Sequence, residues 1–220
     1  MAVFEKTPRL RHIGHLDIQR AVQRALRRSG LPIAYSKGFN PHVLVTFASA
    51  LSTGSAGTHE IMDVTMEEDV TAEEFLEKMN LAMPRDMQLS SAKCMDQKHP
   101  ALMAMLNAAQ YDIQLLDADA AEKMTAAIPA FMAQETIITP RKTKSGIKDC
   151  DARPLIYELS AEGDRLLATL GLTERESCKP DMLLNALSSF AGCDVPRTMI
   201  TRTRLLALDE NGERVPLETL

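Results

Sequence analysis

The chain has 220 residues, 45% of them hydrophobic and 25% charged, with a formal net charge of −5, four cysteines and no tryptophan. That balance supplies a core and excludes a disordered chain, while four widely spaced cysteines without a CxxC pair exclude a zinc ribbon, a closely ligated iron–sulfur cluster and a dense disulfide framework. No stretch approaches the roughly 18 continuous apolar residues of a membrane span and the start has no signal-peptide core, so a cytoplasmic protein without membrane contact is expected, its thiols reduced and mostly buried.

The charge is unevenly placed. Residues 1–40 carry eight basic side chains against Glu5 and Asp17, a balance of +6, so the remainder sums to −11. A localised basic patch on an acidic chain points to a polyanion or an acidic partner.

In chain order, "AVFEKTPRLRHI" reads as a strand running into a loop at Gly14. "HLDIQRAVQRALRRSG" reads as a helix, with Ile18, Ala21, Val22, Ala25 and Ser29 on one side and Gly30 ending it. Arg20, Arg24, Arg27 and Arg28 gather on the other side. "LPIAYS", "HVLVTFASAL" and "THEIMDVTMEED" read as strands. Thr71 with Glu74 three residues later starts a helix that Pro84 stops, and "MQLSSAKCM" adds a strand. The segment 96–109 reads as a linking turn or short helix.

The pattern then begins again. "QYDIQLL" is a strand and "DADAAEKMTAAIPAFMAQ" a helix that Pro129 bends or divides. "TIITPRK" and "RPLIYELSAEGDRLLATLGL" supply strands, the latter turning at Glu162-Gly163-Asp164. "KPDMLLNALSSFAG" is a helix, "MITRTRLLAL" a strand, and the polar tail turns at Asn211-Gly212. Strand, helix, strand, strand, helix, strand, repeated twice, is the order of the split βαβ unit. The expected fold is therefore α+β, two ferredoxin-like halves over 1–98 and 108–220 with antiparallel sheets.

The chemistry concentrates near the start. Between two strands stands Lys37-Gly38-Phe39-Asn40-Pro41-His42, more elaborate than a hairpin turn requires. Gly38 is expected at positive φ, and Phe39 as a plug in the core beneath the turn, or else a stacking face. Tyr35 and Phe47 offer further rings for bases. Arg20, Arg24, Arg27, Arg28, Tyr35, Lys37, Asn40 and His42 together make a candidate anion or nucleic-acid cleft. His15, Asp17 and His42 are candidates for acid–base work, and His15, His42, Glu60 and Asp63 for a metal, although their spacing is too loose to specify one. Asp17 also suits the first turn of a helix and His15 its cap. His12 and His59 read as incidental, and His99 as part of the linker. The loop 36–42, the residues His15–Asp17 and the strand at Glu60–Asp63 are expected to converge on one concave site, with His42 in reach of another side chain.

The stretch "IGHLDIQRAVQRALRRSGLPIAYSKGFNPHVLVTFASALSTGSAGTHEIMDV" resembles the radical-SAM-linked family of conserved proteins of unknown function, over about fifty residues. "KDCDARP", Lys179-Pro180-Asp181 and "TRT" at 201–203 extend the likeness. Gly14 stands where the family pattern has a serine, and Val43 where proline is frequent. The resemblance implies a radical-SAM enzyme as partner and implies no reaction. The chain itself has no CxxxCxxC triad, P-loop, GxGxxG, GxSxG or HExxH, so no cofactor is expected and an enzyme is not the favoured reading. Three functions stay open: an RNA-binding adaptor, a protein partner of the enzyme without RNA contact, and a His-dependent enzyme or metal-binding subunit.

Overall fold

Period two along the first strand, β1 (Ala2–Lys6), places Ala2, Phe4 and Lys6 on one face, and all three are buried. The computed structural model describes residues 1–95, 99–143 and 146–220; the opening of the expected linking segment, 96–98, lies outside the described residues. The chain is mixed α/β with mostly antiparallel pairing and five α-helices among the described residues. It divides into two units, Met1–Leu106 with Ala207–Leu220, and Asn107–Leu206. The boundary drawn from sequence places that C-terminal segment with the second half.

In the first unit β1 is followed by α1 (His15–Arg28), β2 (Val45–Phe47), β3 (Ser55–Val64), α2 (Ala72–Ala82), β4 (Leu89–Ala92) and the short α3 (Leu102–Met105). The strands pair in the order β4-β1-β3-β2, all antiparallel, with Phe4 opposite Glu60 and Phe47 opposite Met62. Ile18, Val22, Ala25 and Leu26 of α1 pack with Phe75 and Met79 of α2 and Phe4, Met62 and Leu89 of the sheet. Each such large side chain contributes about 1.5–3 kcal/mol by leaving water. Gly30, at φ +70°, follows α1 in the left-handed conformation that lets the chain turn away.

Two expectations are corrected here. "LPIAYS" makes isolated bridges, Ile33 to Met66 and Tyr35 to Val43, and forms no regular strand. The strand expected over 42–51 narrows to three residues: His42 closes the preceding loop, Val43 makes only a bridge to Tyr35, and the ladder with β3 runs from Val45 to Phe47.

Thr71 caps α2 as its spacing to Glu74 suggests: its Oγ1 accepts from the Glu74 N–H at 3.1 Å. Thr71→Ala is expected to lower the first unit's stability by about 1 kcal/mol, read as a shift in urea midpoint with unchanged slope.

The second unit contains β5 (Leu106–Leu115), α4 (Ala118–Met132), β6 (Ile138–Thr143), β7 (Gly146–Asp151), β8 (Ile156–Glu162), β9 (Arg165–Gly171), α5 (Pro180–Ala191) and β10 (Thr198–Leu208). Its strands run in the order β10-β5-β9-β8, while β6 and β7 form a separate two-stranded ribbon. Pro129 neither divides nor ends α4, which continues to Met132. Asp117 caps α4 through the Ala120 N–H at 2.9 Å, and Gly192 closes α5 at φ +67°. Of the four thiols only Cys178 is fully buried, and burial pushes it up to about 12, so it stays a neutral thiol; Cys94 is exposed, against the expectation. Among the described residues no helix is long and apolar enough to cross a membrane.

Candidate nucleic-acid interface

The burial of α1 decides where its arginines go. Ile18, Val22, Ala25 and Leu26 turn inward, so at 100° per residue Arg20, Arg24, Arg27 and Arg28 fan over about 100° of the opposite side, and all four are exposed. Two are already engaged. Arg20 Nη1 donates to Asp17 Oδ1 at 2.9 Å, and Arg28 Nη2 donates to the Ala82 carbonyl at 2.8 Å, tying α1 to the end of α2. Among the described residues Arg24 and Arg27 carry no side-chain hydrogen bond or ion pair, which leaves them available to an anion.

The loop after α1 is closed by one serine–histidine pair. The Ser36 N–H donates to the His42 carbonyl at 2.9 Å, the His42 N–H donates to Ser36 Oγ at 3.1 Å, and His42 Nδ1 lies 2.8 Å from the same Oγ. Between them Lys37, Gly38, Phe39, Asn40 and Pro41 are all exposed, with Gly38 at φ +127°. Phe39 is 106% exposed, so the expectation of a core plug is wrong. The core beneath is already filled by Ile33, Val43 and Val45, and the ring is displayed outward instead. Tyr35 at the loop's base is also exposed.

The topology brings this tip and the end of α1 to the same end of β2. Two residues, Leu31 and Pro32, carry the chain from Gly30 to the Ile33–Met66 bridge, and the Tyr35–Val43 bridge follows two residues later. Leu44 joins both neighbours, donating to the Ala34 carbonyl at 3.0 Å and accepting from the Thr65 N–H at 3.0 Å. The acidic run Glu67-Glu68-Asp69 borders the face where the Glu67 N–H meets the Pro32 carbonyl at 2.8 Å.

The other expected members are drawn elsewhere. His15 opens α1 behind the N-cap Gly14, which has no side chain to cap with, and its ring stands edge-on to Phe47 at 5.3 Å. His15, Glu60, Lys6 and Ser49 line one pocket of about 10 Å³, room for a single water molecule. Glu60 is 4% exposed, and its side chain lies over Gly57, where a Cβ would come within 2.6 Å of the carboxylate. Lys6, 2% exposed, donates from Nζ to the carbonyls of Ile13 and Ser55 at 3.0 Å and of Arg11 at 3.3 Å. This cluster braces the turn that launches α1, and its volume admits no substrate.

The four metal candidates are not gathered. His15 and Glu60 share the pocket, His42 is held by Ser36, and Asp63 Oδ2 lies 3.0 Å from His99 Nε2. Asp17, in the first turn of α1, is paired with Arg20. Among the described residues no three His, Cys, Asp or Glu side chains form a metal-sized group. His99, read from sequence as part of the linker, thus has a partner in Asp63.

A family model described as "Uncharacterized protein conserved in bacteria (DUF2344)" matches residues 1–180, a span that includes α1, the loop and the pocket. No curated protein matches the chain.

Proposed function

The chain belongs to the DUF2344 family, and from that premise we propose that it is a non-catalytic adaptor that binds single-stranded RNA through the first unit and serves a radical-SAM enzyme. The observation that carries the reading is the fully exposed Phe39 on a loop locked by Ser36 and His42, at the same end of β2 as the last turn of α1. An exposed aromatic with neighbouring cations suits a splayed base stacked on the ring and phosphates on the guanidinium groups. Arg20, Arg24, Arg27, Arg28 and Lys37 supply the charge, Tyr35 a second ring, and Asn40 hydrogen bonding to a base edge.

The fold supports this reading too. The strand orders β4-β1-β3-β2 and β10-β5-β9-β8, each with two intervening helices, fit a ferredoxin-like unit repeated twice. The radical-SAM partner rests on the resemblance of the 13–64 motif. The adaptor reading is favoured over a His-dependent enzyme because the pocket holding His15 and Glu60 has room for one water only.

Phe39→Ala tests the stacking role. The side chain is fully exposed, so the fold should be untouched and affinity for a single-stranded RNA should fall about tenfold. Unchanged affinity in fluorescence anisotropy contradicts the stacking role, and an absence of RNA binding by the parent chain leaves the protein-partner reading in its place.

A further inference from the structure

The β6–β7 ribbon of the second unit interrupts the path from α4 to β8 and pairs with no other strand among the described residues. Its base is anchored. Thr139 is buried and its Oγ1 lies 3.4 Å from the Met182 carbonyl, while Asp151 Oδ1 accepts from the N–H groups of Ile137 and Arg153 at 2.8 and 3.0 Å. Beyond that base the β7 residues 146–149 are all exposed. Residues 138–149 contain Arg141, Lys142, Lys144 and Lys148 against Asp149 alone, in a chain whose net charge is −5.

The register makes this charge consequential. Arg141 stands directly opposite Lys148, so the two share one face of the ribbon. The flanking pairs on that face are Thr139–Cys150 and Thr143–Gly146, which bring no carboxylate to it; Asp149 belongs to the other face. Among the described residues neither Arg141 nor Lys148 has an ion pair or side-chain hydrogen bond. Like charges directly across a ladder destabilise it unless an anion lies between them. A phosphodiester fits that requirement, since its oxygens can accept from two adjacent cations at once.

We propose that the β6–β7 ribbon is a second nucleic-acid contact, its Arg141–Lys148 pair straddling the phosphate backbone of an RNA strand. The assignment is independent of the α1 face. On the charged face Thr139 is buried at the base, Arg141 is half-buried and Lys148 is exposed, so Lys148 is the member open to a phosphate, while Pro140, Ile147 and Asp149 lie on the ribbon's other side.

Lys148→Glu is the decisive variant, because it converts the like-charged pair into an ion pair. The full chain carrying it should melt no lower than the parent, yet bind a labelled oligouridine about tenfold more weakly at about 0.1 M salt. Lys148→Gln should fall between. Parent-like affinity of Lys148→Glu overturns the ribbon contact even if Arg24→Glu/Arg27→Glu has lost binding. Loss in Lys148→Glu with parent-like binding by the α1 variant supports the ribbon and removes the reading of the first unit. If the parent chain binds polyglutamate as tightly as oligouridine, the ribbon docks an acidic protein and the nucleic-acid assignment is overturned.

Discussion

Lys6→Met is expected to destabilise the first unit by about 3–5 kcal/mol. Methionine keeps the apolar stem and removes the ammonium that holds the carbonyls of Arg11, Ile13 and Ser55. Those carbonyls then stand beside a pocket with room for only one water, and a buried acceptor left unmade costs about 1–3 kcal/mol. Chemical denaturation of the full chain followed by a probe in the first unit checks the value. A loss below about 1 kcal/mol would mean that water replaces the ammonium and that the cluster does not brace the turn before α1.

Lys6 is open to a reading from sequence that counting it in the basic patch hides. Period two from Ala2 and Phe4 puts it on the buried face of β1, and only the assumption that a lysine must be solvated hides it. The caps of α2 and α5, the Pro84 stop and the Asn211-Gly212 turn follow from local chemistry, so they are legible without tertiary knowledge. The ribbon is different. Its second strand, "GIKDCD", is polar and exposed along most of its length and carries no apolar alternation, and periodicity gives no signal for such a strand.

The site was legible in part for a related reason. Residue types and spacing single out the segment 35–42, but which way Phe39 faces depends on whether the core below has space, and Ile33, Val43 and Val45 have already filled it. The convergence of His42 with His15 or the carboxylates does not occur because Ser36, six residues away in the same loop, reaches the imidazole first. His15 and Glu60 meet because β3 sets Glu60 opposite Phe4 while Phe47 receives the His15 ring, a juxtaposition set by strand register.

Arg24→Glu/Arg27→Glu is expected to weaken binding of single-stranded RNA at least a hundredfold at about 0.1 M salt, with an unchanged melting temperature. Both side chains are exposed, so the fold loses nothing, whereas Arg28→Glu would also break the bond to the Ala82 carbonyl. Each phosphate contact contributes about 0.7 to the slope of log affinity against log salt for a single strand, so the parent slope should fall by about 1.4. An unchanged slope in the variant would place the phosphates elsewhere on the chain.

Zero-length ultraviolet cross-linking of the full chain to labelled oligouridine, followed by tryptic mapping, tests the proposed interface most directly. Cleavage after Arg28 and Lys37 separates Tyr35 from Phe39, so each ring reports on its own peptide. RNA attached to the peptide that begins at Gly38, and lost in Phe39→Ala, is the predicted result. RNA attached only to peptides lacking both Tyr35 and Phe39, or none attached at all, contradicts an interface built on the α1 arginines and the Phe39 loop.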